Sequence, residues 1–310
     1  MVHDLVEFTP AAYAELAGVR SACRPELPLP AAALRAKDEA RPARKLLRRT
    51  VAREDGAAVG YCELGQEPLE DDDGVFVLGV FVHPSHQGRG LGRALHTELL
   101  RLLAGLDARE LRAGLREDHP YAAAFAARRG FESGRRHVFS QLELGAQDPP
   151  EAPAGVRLTS LAELRAELGE NETVTRLFPL VQDFTADIPG AAEAARDMRA
   201  EQLARNLADP LIIPEVYCIA ASGDELVGKS DLRATPDPRG LWTGTTGVHR
   251  AWRRRGLALA LKRTALGWAA ARGFERVATA NAEENHAMLA LNRRLGFEPT
   301  CTYRELRALR

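Results

Sequence analysis

The chain has 310 residues and a formal net charge of −1. This length favours two domains over a single core, and the near-neutral charge argues against a dedicated nucleic-acid binder. Short apolar runs, an acidic N-terminal stretch and four isolated cysteines predict a cytoplasmic protein that neither spans a membrane nor binds a metal.

Both halves of the sequence are predicted to contain the same series of elements. The strands and hairpins are expected at 5–9, 50–64, 74–83, 110–115 and 137–144 in the first half, and at 156–160, 217–232, 275–281 and 302–309 in the second. In each half, one helix is expected to begin at a glycine, Gly90 in the first half and Gly256 in the second. A second helix is expected to end at Gly130 in the first half and at Gly296 in the second. This order predicts an α+β fold, in which each half is a mixed, mostly antiparallel sheet flanked by helices.

Two short patches of the sequence recur at one fixed offset. The sequence RRGFE at 128–132 returns as RLGFE at 294–298, and RGL at 89–91 returns at 255–257, in both cases 166 residues later. No gap is needed between the patches. Two matches at one offset indicate a tandem duplication.

The duplication divides the chain into an N-terminal module at 1–145 and a C-terminal module at 156–310. A Pro-rich linker is expected between them at 146–155. The copies differ most ahead of VYCIAAS at 216–222, because the second copy carries a longer stretch after its first strand.

The loop QGRGLG at 87–92 lies between a predicted strand and a predicted helix, which is where proteins often bind phosphate. It lacks the Lys-Ser/Thr pair of a Walker loop, and Arg93 replaces the last glycine of a dinucleotide fingerprint. A pyrophosphate needs a close approach to several backbone N–H groups, and a Cβ at Gly90 or Gly256 would obstruct it. The arginines around both loops could pair with phosphate oxygens.

The spacing QxxGxG at such a junction, with GF some forty residues later, resembles the GNAT superfamily of acyl-CoA-dependent N-acetyltransferases. The second module carries the looser form RxxGxA at 253–258. The resemblance covers nearly the whole chain as two modules. It implies acetyl-CoA as co-substrate and no metal.

The resemblance also implies which residues hold the coenzyme. In the first module these are Val82, His83, Gln87, Gly88, Arg89, Gly90, Leu91, Gly92 and Arg93. In the second they are Val248, His249, Arg253, Arg254, Arg255, Gly256, Leu257, Ala258, Asn281 and Asn285. The strand before each loop is expected to splay from its neighbour, which would leave a backbone N–H for the thioester oxygen.

In this family a primary amine attacks the thioester directly, so no covalent enzyme intermediate is expected. A tyrosine often protonates the leaving thiolate, and at that position this chain has Ala126 and Asn292. The candidate catalytic residues are Asn292, Asp187 and Glu284, of which the two acids could attract or deprotonate the amine. A solvated loop for Asp187 and a favourable charge at a helix start for Glu284 are the structural alternatives.

The resemblance implies an N-acetyltransferase that acts on an amine of a small molecule or peptide, and we expect a monomer or homodimer. The C-terminal module is expected to do the chemistry, because it keeps more of the polar pattern. The alternative is a non-catalytic CoA-binding scaffold or sensor, which the missing tyrosine favours.

Overall fold

The structure is a computed structural model that describes residues 4–39, 41–67, 72–146, 151–189 and 192–310. The chain divides into two compact units. Unit 1 comprises Met1–Arg136 and Cys301–Arg310, and unit 2 comprises His137–Thr300. No helix within the described ranges is long and apolar enough to cross a membrane.

The elements follow the predicted order. The strands are β1 (Asp4–Glu7), β2 (Leu47–Glu54), β3 (Ala57–Gly65), β4 (Val75–Val82), β5 (Glu110–Arg116), β6 (Glu132–Glu143), β7 (Arg157–Ser160), β8 (Ile212–Ser222), β9 (Glu225–Ala234), β10 (Gly240–Val248), β11 (Arg276–Ala282) and β12 (Glu298–Leu309). The helices are α1 (Tyr13–Cys23), α2 (Ala31–Glu39), α3 (Leu91–Leu103), α4 (Ala122–Ala127), α5 (Leu161–Leu168), α6 (Glu170–Thr185), α7 (Ala192–Asp197), α8 (Ala200–Leu207), α9 (Leu257–Ala271) and α10 (His286–Arg294). The predicted α+β fold class is therefore confirmed.

In unit 1 the strand order is β1-β2-β3-β4-β5-β12. Neighbouring strands are antiparallel except for β4 and β5, which are parallel. Helix α3 makes the crossover between these two strands, and its apolar stripe Leu91, Leu95, Leu99 and Leu103 is buried, as its spacing predicts.

Unit 2 repeats this arrangement in the order β7-β8-β9-β10-β11-β6. Again only one described pair, β10 and β11, is parallel, and α9 makes the crossover between them. The longer stretch of the second copy forms α6, α7 and α8. Leu177, Phe184 and Leu203 of this stretch pack on the face of the sheet opposite α9.

The two units exchange their last strands. Tyr303 to Leu309 of β12 pair with β5 in unit 1, whereas His137 to Glu143 of β6 pair with β11 in unit 2. The predicted boundaries at 145 and 156 describe the duplicated sequence and stay a prediction. Sequence patterning does not reveal the exchange. The side chains of β6 and β12 alternate between the two faces of a sheet in the same way whether the strand lies beside β5 or beside β11.

Removing residues 301–310 should loosen unit 1 selectively, because these residues supply the strand beside β5. Amide hydrogen exchange in β5 of the truncated chain should be at least about tenfold faster, since its ladder partner is lost. Exchange in β9, which lies inside unit 2, serves as the internal control. Equal protection of β5 with and without the last ten residues would contradict the exchange of strands.

Candidate active site

Both units begin the crossover helix with a glycine in the left-handed region. Gly90 has a φ of 90° before α3, and Gly256 has a φ of 81° before α9. A Cβ at either position would meet no protein atom within 4 Å. Glycine is therefore required here by the backbone dihedral, and the space beside it is open on the protein side. That a Cβ would obstruct a pyrophosphate stays a prediction.

The residue before each glycine turn locks the loop to the end of the strand. The Nε2 of Gln87 donates to the carbonyl of Val82 at 2.9 Å, and the Nε of Arg253 donates to the carbonyl of Val248 at 3.1 Å. The first residue of the motif, Gln87 in unit 1 and Arg253 in unit 2, thus serves the same structural purpose in both units. Its side chain fixes where the helix start lies relative to the strand end.

The histidines at the strand ends also stabilise the loops. The Nδ1 of His83 accepts the N–H of Ser85, and the Nδ1 of His249 accepts the N–H of Ala251, both at 3.4 Å. Turn formation thus accounts for their recurrence in the two copies. Contact with a coenzyme remains a prediction for both histidines.

The first turns of α3 and α9 present free backbone donors. Neither helix has a side-chain cap at its start. Within the described residues, the N–H groups of Leu91, Gly92, Leu257 and Ala258 have no protein acceptor. Since the first N–H groups of a helix have no partner inside it, both starts can bind an anion.

The charges around the two loops differ. In unit 1, Arg89 and Arg93 are exposed, and Arg93 lies close enough to Arg129 to lower the pKa of that partly buried guanidinium further, after burial itself. In unit 2, Arg254 has a positive φ of 60°, a strained conformation for a residue with a side chain. Arg255 lies over the ring of Trp252, 4.9 Å from its centroid.

Two carboxylates of α6 and the segment after it lie against the loop of unit 2. Asp183 pairs with Arg250 at 2.6 Å and accepts the backbone N–H of Arg250, and Asp187 pairs with Arg253. The sequence analysis proposed that Asp187 attracts or deprotonates the acceptor amine. The role of Asp187 as a base stays a prediction, and its ion pair opposes that role because a cation already occupies the carboxylate.

The parallel strands of each unit pair only over three residues and then diverge. Strand β10 pairs with β11 from Gly240 to Trp242, although it continues to Val248. Strand β4 pairs with β5 from Val75 to Val77 and continues to Val82 in the same way. The splay expected from the resemblance is therefore present in both units. It opens toward the loop and the helix start.

A β-bulge distorts the splayed part of β10. The register with β9 shifts between Thr243 and Thr246, whereas β4 keeps a continuous register with β3. The bulge surrounds the carboxylate of Asp231, which accepts the N–H of Thr245 at 2.9 Å. A Cβ at Gly244 would lie 1.9 Å from an oxygen of Asp231, so this close approach requires glycine.

Asp231 is fully buried and belongs to an ion cluster with Lys229 and Arg233. Burial alone would raise the pKa of Asp231, but the two cations outweigh it and the net pKa is lowered. The carboxylate is thus ionised and fully engaged. In unit 1, the half-buried Glu63 lies opposite Gly79 and pairs with Arg49 at 3.0 Å, so each unit has an ion-paired acid beside the splayed strand, although only Asp231 is fully buried.

On its α9 side, the splay of unit 2 is lined by polar groups, of which Thr243, Thr279 and Asn292 are buried and Asn281 is half-buried. Leu241 and Val277 pack on α9, and the alternation of strand residues directs Thr243, Thr279 and Asn281 to the same face. The Nδ2 of Asn292 donates to the Oδ1 of Asn281 at 2.7 Å. Among the described residues, the Oδ1 of Asn292 and the Oγ1 of Thr243 are buried without a partner.

Lys262 of α9 belongs to the layer between α9 and the splayed strands, together with the polar groups Thr243, Thr279, Asn281 and Asn292. Its side chain is buried, and its ammonium lies 5.3 Å from the centroid of the Phe297 ring. Burial lowers the pKa of Lys262 to about 8, and Asp231 offsets only part of this effect. Sequence reasoning missed Lys262, although a lysine within the apolar run LALALKRTALGW was a usable signal.

Unit 1 has apolar residues at most of the equivalent positions. The bulge adds one residue to β10, so Leu78 corresponds to Thr243, and the offset of 166 makes Leu115 and Ala126 correspond to Asn281 and Asn292. Leu115 and Ala126 form an apolar cluster with Leu306. Of the two units, unit 2 therefore has the polar lining. Each unpaired buried group in it lowers the free energy of unfolding by about 1–3 kcal/mol.

The remaining predicted residues lie at the start of α10. The Oδ1 of Asn285 accepts the N–H of Met288 at 3.2 Å, so this side chain caps the helix. Asn285 retains its amide N–H groups, and its contact with a coenzyme stays a prediction. Glu284 is exposed just before the cap, and its catalytic role also stays a prediction.

The geometry suits a long ligand with an anionic group at one end. The open helix starts can hold a diphosphate, and the splay offers unpaired strand backbone for an extended arm. Acetyl-CoA has this shape and charge. Among the described residues, no group of three or more acidic, histidine or cysteine side chains could hold a metal ion.

Comparison with known proteins supports the same assignment. The acetyltransferase (GNAT) family matches residues 12–131 and 181–297. A mycothiol acetyltransferase from a Nocardioides species is 30% identical over 71% of this chain and 76% of its own length.

Two solved structures share the fold over nearly the whole chain. A tandem GNAT protein from the clavulanic acid biosynthesis pathway has a TM-score of 0.75 at 24% identity, and covers 99% of this chain and 98% of its own. A GCN5-related N-acetyltransferase from Sphaerobacter thermophilus has a TM-score of 0.74 at 21% identity, over 99% and 95%.

Replacing Lys262 with Met should stabilise the protein. The folded pKa near 8 lies below the ordinary 10.5, so folding disfavours the protonated form. Below pH 8 the lysine is protonated in both the folded and the unfolded state, and the full loss of folding stability applies. Between pH 8 and 10.5 only the unfolded state keeps the proton, and the loss of stability falls toward zero. Lys262→Met should therefore raise the free energy of unfolding at pH 7 by up to about 3 kcal/mol.

Denaturant titrations at pH 7 and pH 10 measure this effect. Lys229→Met is the matched control, because Lys229 is equally buried but paired with Asp231. Its removal leaves a buried carboxylate with less compensation and should destabilise the protein by about 3 kcal/mol. A loss of stability in Lys262→Met at pH 7 would show that the ammonium is compensated in the native state.

Proposed function

Since the chain belongs to the acetyltransferase (GNAT) family, we propose that it transfers the acetyl group of acetyl-CoA to a primary amine of a small molecule. The observation that carries this proposal is the pairing of an open helix start with a splayed strand pair in one unit. The helix start accounts for a diphosphate, and the splay accounts for a thioester arm.

Binding begins at the helix starts. In unit 2, the N–H groups of Leu257 and Ala258 face the diphosphate, and Arg254 and Arg255 add positive charge from exposed positions. Gly256 allows the close approach. In unit 1, the equivalent loop around Gly90 binds a second coenzyme, because the backbone conformation at the two glycines is nearly the same.

The splay then orients the thioester. The pantetheine arm pairs with the free edge of β10 between Thr243 and Val248, much as a neighbouring strand would. A backbone N–H near Val248 stabilises the thioester oxygen as negative charge develops there. The amine nitrogen attacks the carbonyl carbon, the C–N bond forms, and the C–S bond breaks to release the thiolate of coenzyme A.

The chemistry takes place in unit 2. Its polar lining of Thr243, Asn281 and Asn292 can bind and orient polar atoms of the reacting groups, whereas the corresponding lining of unit 1 is mainly apolar. Asn292 orients the arm through its free carbonyl oxygen. Unit 1 holds a coenzyme without turning it over.

The acceptor is proposed from the relatives. The Nocardioides relative is named a mycothiol acetyltransferase, which favours a small polar molecule over a protein. Glu284 and Asp187 would contribute to the acceptor side, where exposed carboxylates attract a cationic amine. A peptide amine is the alternative acceptor.

A CoA-binding scaffold or sensor is the second candidate function. It is favoured by Ala126 and Asn292, which stand where the resemblance leads us to expect a proton-donating tyrosine. A thiol-release assay with acetyl-CoA and a panel of amines separates the two functions. Turnover with any amine supports the transferase, and coenzyme binding without turnover supports the sensor.

Glycine substitutions should assign the two units. Gly256→Ala should lower kcat/KM for acetyl-CoA at least about tenfold, because a Cβ enters the space of the diphosphate and because the φ of 81° strains a residue with a side chain at the helix start. Gly90→Ala should reduce the number of coenzyme molecules bound per chain, measured by calorimetry, without lowering thiol release. The opposite assignment of the two effects would place the chemistry in unit 1.

Asp187→Asn should strengthen coenzyme binding to unit 2. The carboxylate pairs with Arg253 and competes with phosphate for that guanidinium. Removing its charge should lower the Kd of acetyl-CoA about two- to fivefold, in line with the worth of an exposed ion pair. Asp224→Asn is the control, since Asp224 is fully exposed and lies 3.7 Å from Arg176. A weaker binding in Asp187→Asn would show that the acid helps to hold the ligand.

A further inference from the structure

Lys262 is buried on α9, six residues after Gly256, and its ammonium lies 5.3 Å from the centroid of the Phe297 ring. The helix rises 1.5 Å per residue, so Lys262 is about 9 Å along α9 from Gly256. With a strand rise of about 3.3 Å per residue, a helix that runs back along β10 from Gly256 is expected to bring position 262 to the level of Thr245 and Thr246. Ala258 and Leu266, one turn to either side of Lys262, pack into the core beneath the sheet.

The ammonium of Lys262 lacks a hydrogen-bond or ion-pair partner in the part of the chain that the structure describes. By contrast, the equally buried Lys229 is paired with Asp231. Burying an unpaired ammonium costs several kcal/mol unless something compensates it. A bound ligand with a negative atom in this layer would supply that compensation.

The charged groups near Lys262 leave it as the proton donor of this layer. Asp231 of β9 is ionised and held by Lys229 and Arg233. From β8, the thiol of Cys218 has its pKa raised to about 12 by burial and stays protonated. The groups that face the layer from β10, β11 and α10 are uncharged, namely Thr243, Thr279, Asn281 and Asn292. Phe297 follows α10, and the charged or titratable residues Glu283, His286 and Arg293 line a cavity of about 260 Å³ beside Asn292 and Phe297.

We propose that Lys262 donates a proton to the thiolate of coenzyme A as the C–S bond of the thioester breaks, an inference that rests on the proposed function. The amine nitrogen forms the new C–N bond and gives up its own proton to water. The electron pair of the C–S bond goes to sulfur, and sulfur takes the proton of the ammonium. The neutral amine of Lys262 then regains a proton from solvent, so the cycle needs no further reactant.

The acidity of the two groups suits this transfer. A thiol ordinarily has a pKa near 8.5, and burial brings the pKa of Lys262 to about 8. Proton transfer between groups of similar pKa is efficient in either direction. Lys262 thereby takes the task that the resemblance assigns to a tyrosine at position 292.

The equivalent residue of unit 1 provides a matched control. His96 lies six residues after Gly90, as Lys262 lies six residues after Gly256. Burial, Arg129 and Arg310 lower the pKa of His96, and its ring lies 6.0 Å from that of Phe125. Because the surrounding layer of unit 1 is apolar, His96→Gln should leave turnover and its pH profile unchanged.

The experiment measures thiol release by the full chain between pH 6 and 10, at saturating acetyl-CoA and with an amine that the wild type acetylates. After correction for the amine's own ionisation, kcat of the wild type should fall above pH 8, as Lys262 loses its proton. Lys262→Met should lower kcat about 100-fold, at the low end for a general acid, and abolish this alkaline limb. Lys262→Arg keeps the charge but cannot donate a proton near neutral pH, so it should behave like the methionine variant.

A second measurement does not depend on turnover. The ultraviolet absorbance of the thiolate reports the pKa of bound coenzyme A, which the wild type should lower by at least about one unit relative to Lys262→Met. If no amine is turned over but this shift is present, the proposed function fails and the placement of Lys262 beside the sulfur stands. If the wild type turns over and neither the alkaline limb nor the thiol pKa changes in Lys262→Met, the inference is overturned.

Discussion

The parting of two parallel strands is the constraint on which this structure depends. Strands β10 and β11 pair through Trp242 and Ala278 and then separate, so the backbone beyond them loses a ladder partner. Unpaired backbone groups inside a protein are costly. These unpaired backbone groups lie beside the start of α9, where the first N–H groups of the helix also lack an acceptor among the described residues. One extended ligand with an anionic end can compensate both sets of groups at once.

The two units use the same frame for different purposes. Each has a glycine-opened helix, a strand splay and an ion-paired acid beside it, at Glu63 and at Asp231. They differ in the layer between the splay and the crossover helix, which is mainly apolar in unit 1. Unit 2 buries unpaired polar atoms of Thr243 and Asn292 there. Such groups lower stability, and a protein that keeps them in this layer of unit 2 is expected to use them there.

Much of the frame was predictable from sequence, because helix periodicity, hairpin turns and a repeated glycine motif are local signals. The predicted elements, the α+β class and the GNAT relationship are all confirmed. The exchange of the last strands could not be predicted, since either parallel pair accepts the same alternating tail. The site was harder still. Asp187 meets Arg253 across 66 residues of sequence, and the buried layer around Lys262 is assembled from four elements. Such contacts follow from packing and leave little trace in spacing.

The central claim is that the helix start and the splay of unit 2 together hold one thioester carrier. Amide hydrogen exchange with and without acetyl-CoA tests it most directly. The account predicts that the ligand slows exchange both at Leu257 and Ala258 and along β10 from Thr243 to Val248. Protection of neither segment at saturating acetyl-CoA would contradict the account.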